Sequence, residues 1–179
     1  MKSKKTSLCI KVVAWTVGAL GACLTGSSHA AVLTVGATGA DHTSIQAAVA
    51  AATTGDTIQV LPGTYTENVT INKDLTLQST GGRAVTTISG VSGLGALGTV
   101  LVTNNTTAVT IGGAGKGFTI IGIDNGSPGL ENAALYFQGG HTGVQVRDNE
   151  IQANGDVGLL SEFGAVISGW VIDGNIFSG

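Results

Sequence analysis

Val144-Gln145-Val146-Arg147-Asp148-Asn149 and Trp170-Val171-Ile172-Asp173-Gly174-Asn175 decide the fold, because the second stretch restates the first 26 residues later. Apolar side chains at Val144 and Val146, and again at Trp170 and Ile172, alternate with other residues. That is the period-two signature of a half-buried strand. Phe118 and Ile120 stand a further 26 residues upstream of Val144 and Val146. A period of this size predicts stacked supersecondary units, each too thin to bury its apolar face alone. Three strands per coil give a parallel β-helix, with inward ladders of Val, Ile and Leu and a hydrogen-bonded ladder of Asn149 on Asn175.

Upstream, short β-type runs recur at Thr57–Val60, Val69–Ile71, Leu75–Leu77, Val100–Val102, Val109–Ile111 and Phe118–Ile121, separated by Gly-, Asn- and Asp-rich turns such as Gly81-Gly82 and Asn104-Asn105. One helix interrupts them, over Ser44–Ala52, with Thr43 or Ser44 as N-cap and Gly55 as its stop. Its Ile45, Ala48, Val49 and Ala52 share one face, which suits a cap over the open first coil. Nothing equivalent follows Asn175-Ile176-Phe177-Ser178-Gly179. The expectation is therefore an incomplete solenoid, prone to self-association through its uncapped last coil.

Composition agrees. Of 179 residues, 42% are hydrophobic but only 4% aromatic and 11% charged, and 29 are Gly. Small and β-branched residues make up the apolar share, which excludes a disordered tail, a coiled coil and a basic nucleic-acid module. Residues 1–30 read as a secretory signal peptide. Lys2, Lys4 and Lys5 precede the apolar run Val12–Leu24, too short to span a bilayer, and Ser28 and Ala30 set a cleavage site before Ala31. A lipoprotein signal at Leu20-Gly21-Ala22-Cys23 is the alternative, and would anchor the chain through Cys23. Cleavage after Ala30 removes four of the 8 basic residues and none of the 11 acids, taking the net charge from −3 to −7. It also removes both Cys, so no disulfide framework exists. Residues 31–179 form the parallel β-helix domain, secreted, periplasmic or on the cell surface.

Ser44-Ile45-Gln46-Ala47-Ala48-Val49, Gly55-Asp56-Thr57-Ile58-Gln59-Val60, Pro62-Gly63-Thr64-Tyr65-Thr66-Glu67-Asn68-Val69 and Leu75-Thr76-Leu77 resemble the opening of right-handed parallel β-helix proteins of the pectin lyase-like superfamily. The resemblance covers residues 32 to 90 well and the rest more loosely. It implies an all-β right-handed parallel β-helix with an N-terminal capping helix. In that block, Asp56 sits at the turn into the first strand, Tyr65 lies across the coil edge, and Glu67 accepts backbone N–H groups. Enzymes and non-enzymes share this opening, so activity must come from a site.

In pectate lyases of this superfamily, outward carboxylates hold Ca²⁺ and an Arg acts as base. Carried onto this chain, that implies Arg147, Asp156 and Asp173 as catalytic candidates and Asp148, Glu150 and Asp173 as Ca²⁺ ligands, with Glu162 nearby. Alternation turns Val144 and Val146 inward and Arg147 outward, with Asp173 one coil above it, roughly 5 Å away. The plainer reading of Arg147 and Asp173 is a surface ion pair. The pectin methylesterases have Asp156 as a partial match within Gly155-Asp156-Val157. Their two Gln are missing, which removes the oxyanion donors. His42 and His141 read as solvated turn residues, and Gly112–Gly117 as a β-helix turn rather than a phosphate cradle. Two readings follow: a non-catalytic module contacting extracellular or cell-surface polysaccharide, or a lyase- or esterase-like enzyme acting on acidic polysaccharide.

Overall fold

A computed structural model of the chain describes residues 29–93, 95–124, 132–154 and 157–179. Residues 1–28, with both Cys, and Asp156 lie outside the described residues. Among the described residues the first elements are β1 (Val32–Val35) and α1 (Ile45–Ala51). Three strand triplets follow: β2 (Thr57–Val60), β3 (Gly63–Thr66) and β4 (Val69–Ile71); β5 (Thr76–Ser79), β6 (Thr86–Ser89) and β7 (Gly98–Val102); β8 (Thr110–Gly112), β9 (Thr119–Ile121) and β10 (Ala133–Phe137). Then come β11 (His141–Thr142), β12 (Gln145–Arg147), β13 (Glu150–Gln152), β14 (Val157–Ser161), β15 (Ile167–Ser168), β16 (Val171–Asp173) and β17 (Ile176–Ser178).

Successive members of each triplet join three different sheets. The first sheet runs β1-β2-β5-β8-β12-β16, the second β3-β6-β9-β13-β17 and the third β4-β7-β10-β14, while β11 and β15 form a small ribbon. Every pairing between these strands is parallel. Each pass of the chain therefore adds one strand to each sheet, giving an all-β architecture of stacked parallel sheets consistent with a β-solenoid.

Alternation supplies the core. In the first sheet Ile58, Leu77, Ile111 and Val146 stack in register, all wholly buried. Tyr65, Ile88, Ile120, Ile151 and Phe177 are the register-matched ladder of the second, buried except at Phe177. Val69, Val100, Leu135 and the partly buried Leu159 form the ladder of the third. Tyr65 is thus the first rung of a ladder rather than a residue lying across a coil edge. Its hydroxyl donates to the Leu61 carbonyl at 2.9 Å. In the last coil, Ile172, Ile176 and Phe177 are about half exposed, at 47%, 46% and 53%.

The register corrects the repeat. Thr110 pairs with Gln145, so Val109, not Phe118, lies one coil below Val144. Phe118 precedes β9 in the second sheet, whereas Val144 precedes β12 in the first. Only the final step, Val146 to Ile172, keeps the 26-residue spacing. Strand pairing constrains the ladder and not the corner loops, so coil length varies while the register holds.

The helix is shorter than its sequence signal, ending at Ala51 with Ala52 as C-cap, three residues before Gly55. Ser44 caps it by accepting from the Ala47 N–H, and Ile45, Ala48, Val49 and Ala52 are buried as the periodicity requires. A seven-residue helix is marginal alone. The next coil clamps both of its ends. The Glu67 carboxylate accepts from the Ile45 and Gln46 N–H groups at 2.8 and 2.9 Å, and Lys73 Nζ donates to the Val49 and Ala52 carbonyls at 3.0 and 2.8 Å. Opposite charges thus meet the opposite ends of the helix dipole.

Candidate functional site

The chain turns from the first sheet to the second at one corner in every coil, and there the charged residues collect. Asp148 makes this turn with φ +57, a left-handed conformation that Asp tolerates. Gly112, one coil below, has φ +84, and a Cβ there would collide with the Arg147 carbonyl. The two coils approach so closely because Asn149 ties them. Its Oδ1 accepts from the Phe118 N–H at 2.9 Å, and its Nδ2 donates to the Ile111 and Arg147 carbonyls at 3.0 Å each. The asparagine ladder forms as the sequence suggests. Asn175 Oδ1 accepts from the Asn149 N–H at 2.9 Å and from Asn149 Nδ2 at 3.2 Å.

On this scaffold lies an open cleft of about 300 Å³, lined by Ala114, Gly115, Arg147, Asp148, Asp173 and Gly174. Arg147 and Asp173 are register partners on β12 and β16. They form no ion pair. The one ion pair among the described residues joins Arg83, 65 residues away in sequence, to Asp148. Arg83 Nη1 also donates to the carbonyls of Asp148 (3.1 Å) and Gly174 (3.3 Å), and the other Asp148 oxygen accepts from the Gly115 N–H at 2.7 Å. Both side chains of the pair are 31% exposed, so their attraction contributes only about 0–1 kcal/mol. Its role is to fix the corner.

Asp148 is therefore committed to Arg83 and Gly115, whereas Arg147 keeps its Nε buried with no hydrogen-bond partner. A buried N–H without an acceptor typically destabilises by ~1–3 kcal/mol, more when the group is charged. Asp173 is exposed beside Arg147. Gly112–Gly117 is a turn and no phosphate cradle, since the Gly115 N–H serves Asp148 and the Lys116 N–H bonds the Gly113 carbonyl at 2.8 Å.

Glu150 lies on the second sheet, where its Oε1 accepts from Gln152 Nε2 at 2.9 Å. Among the described residues, no three His, Cys, Asp or Glu side chains are gathered to hold a metal ion. Asp148 and Glu150 are each already engaged, by Arg83 and Gly115 and by Gln152 respectively. Glu162 accepts from the Gly139 N–H at 2.7 Å, at a different corner.

His141 departs from its sequence reading, being wholly buried. Its Nδ1 accepts from the Thr106 N–H (3.1 Å), which leaves the proton on Nε2, facing the Gln138 carbonyl at 3.0 Å. Phe137 meets the His141 ring edge-on at 5.7 Å and Trp170 at 4.5 Å, and Trp170 Nε1 donates to the His141 carbonyl. The cluster packs a corner of the solenoid. Arg83 is the site residue that linear reading missed. It sits in a Gly-Gly-Arg turn that carries no signal of a partner two coils away.

No helix among the described residues is long and apolar enough to cross a membrane. No protein-family model, curated protein or solved structure matches the chain.

Proposed function

We propose that the chain is an exported, right-handed parallel β-helix of the pectin lyase-like kind that holds extracellular polysaccharide without cleaving it. The observation that carries this reading is that Arg147, which enters no ion pair among the described residues, lines an open cleft beside the exposed Asp173. Guanidinium is the group best shaped to take a sugar carboxylate through two parallel N–H bonds. Right-handedness is supported by the strong general preference of parallel crossovers for that hand. Export is supported by the leader pattern of residues 1–30.

The test is retention on an immobilised uronate-bearing polysaccharide. The chain is expected to be retained and to release no new unsaturated or reducing ends, and Arg147→Gln is expected to pass through. No retention on any acidic or neutral glycan would refute the reading. The enzymatic alternative, β-elimination with Arg147 as base, draws on the same side chain. It predicts unsaturated ends that vanish in the Arg147→Ala variant.

A further inference from the structure

Resting on that polysaccharide reading, we infer that the glycan runs across the strands of the first sheet, over an uncharged ladder of hydroxyls and amides that leads into the Arg147 cleft. Ile58, Leu77, Ile111 and Val146 are wholly buried, so the residues on either side of each face outward. Strand register stacks Thr57, Thr76, Thr110 and Gln145 in one outward column. Gln59 and Gln78 begin a second column, which continues through Gly112 to Arg147. These Thr and Gln side chains are half-buried, and among the described residues none of them makes a hydrogen bond. The corners that border the sheet between β2 and β12 lie wholly within the described residues. The face therefore offers free hydroxyls and amides repeated at the strand spacing, about 4.8 Å.

That chemistry selects the occupant. Thr hydroxyls and Gln amides each donate and accept, as do the hydroxyls of a glycan. A peptide strand adds to the edge of a sheet and not to its face. The columns carry no cation for a phosphate backbone before Arg147, and they are too polar for the apolar side of a helix. A regular ladder suits a regular polymer. An extended glycan advances by about one coil per sugar, so the four coils from β2 to β12 face about four sugars. An acidic sugar falls at the cationic end, where Arg147 lines the cleft and Lys116 stands exposed beside Gly115. On the opposite margin, Asp56 accepts from the Ala31 and Thr53 N–H groups and Asp74 from those of Thr107 and Ala108. Both carboxylates are thereby committed to the backbone, and the ladder is left to take the sugar hydroxyls.

Calorimetry on the full chain with probes of fixed charge tests this: one glucuronate joined, at either end, to one, three or five β-linked glucose units. Every probe carries a single carboxylate, so any gain with length comes from the uncharged ladder. Affinity is expected to rise about tenfold or more from the disaccharide to the tetrasaccharide. It should level off at the hexasaccharide, which outruns the ladder. Gln78 lies two coils from Arg147. Gln78→Ala is therefore expected to weaken the tetrasaccharide about three- to tenfold and to leave the disaccharide unchanged. Gln152→Ala, on the second sheet, is expected to bind all three probes as the unaltered chain does. Unchanged circular dichroism and melting of each variant separate these effects from misfolding. A disaccharide that binds as tightly as the tetrasaccharide, a Gln78→Ala variant with unchanged affinities, or an equal loss in Gln152→Ala overturns the inference and leaves the polysaccharide reading standing. So does retention on the immobilised polysaccharide with no binding of any probe. Failure of every probe together with no retention overturns both.

Discussion

Replacing Asn149 tests the corner on which both the fold and the cleft depend. The side chain is wholly buried and holds the Phe118 N–H on Oδ1 and the Ile111 and Arg147 carbonyls on Nδ2. Asn149→Ala strands a buried donor and a buried acceptor of the core coil, each worth ~1–3 kcal/mol when left unmade. Partial relaxation and water entry at the half-exposed Arg147 side bring the expected loss to about 2–4 kcal/mol. Asn149→Asp keeps the acceptor for Phe118 but turns a charged oxygen on three oxygens, those of Ile111, Arg147 and Asn175. At neutral pH it should therefore be at least as destabilising as Ala. Acidification, which restores a donor, should narrow the gap. Urea unfolding followed by Trp170 fluorescence gives both free energies. A loss below about 0.5 kcal/mol for Asn149→Ala, the scale of an ordinary surface substitution, would refute the reasoning. So would an Asp variant more stable than Ala at pH 7.

Three further outcomes follow from other parts of the solenoid. Thr34 backbone and side-chain donors hold the Asp41 carboxyl below its ordinary 3.8, and the Thr53 and Ala31 N–H groups do the same for Asp56. Burial pushes Asp74 up, but the Thr107 hydroxyl and the Thr107 and Ala108 N–H groups outweigh it and leave it lowered. Carboxyls with lowered folded-state values stabilise fully above their unfolded value and lose that contribution as pH falls through the folded one. The melting temperature should thus drop below about pH 4, with a shallower acid limb in Asp56→Asn; a rise on acidification below that point would contradict this. Lys73→Met should cost about 1–2 kcal/mol and speed amide exchange in α1 while leaving β12 and β13 protected. Uniform acceleration would show that the clamp is not local. Gly117→Ala, whose Cβ would run into the Asp148 backbone, should destabilise by about 2–4 kcal/mol, whereas Gly93→Ala, with open space around it, should stay within about 0.5 kcal/mol.

Strands with two or more apolar residues in alternation were legible, and Thr57–Val60 and Val69–Ile71 coincide with β2 and β4. Gly63–Thr66 and Thr86–Ser89 were not. Each carries a single large apolar residue, Tyr65 or Ile88, among Thr, Ser and Gly, and becomes a strand because neighbouring coils offer a ladder to join. The outward turn of Arg147 was legible from period two, and its register with Asp173 from the 26-residue spacing of the last two coils. Their failure to pair was not, because Arg83 and Asp148 come together only once the intervening coils are stacked. His141 looked like a turn residue because its neighbours Gly139, Gly140 and Gly143 are turn formers; its burial comes from Phe137, Thr106 and Trp170, none adjacent in sequence.

Coil length explains why the repeat misled where alternation did not. Ile58, Leu77, Ile111, Val146 and Ile172 follow one another up the ladder at intervals of 19, 34, 35 and 26 residues. A loop can lengthen at a corner without disturbing the sheets, but a slip of one residue within a strand would turn Val146 outward and Arg147 into the core. Selection for packing therefore acts on alternation and leaves spacing free. The same constraint positions the cleft. Its walls come from the loop after β8, the end of β12 and the end of β16, three successive coils whose alignment is set by buried side chains. Arg147 can stay unpaired because its backbone is held within its own coil by Asn149, from the coil below by the Gly113 N–H and from above by pairing with β16, so its own guanidinium is not needed to fix the corner. Loss of the Asn149 tether should accordingly weaken glycan retention even at urea concentrations where the chain remains folded.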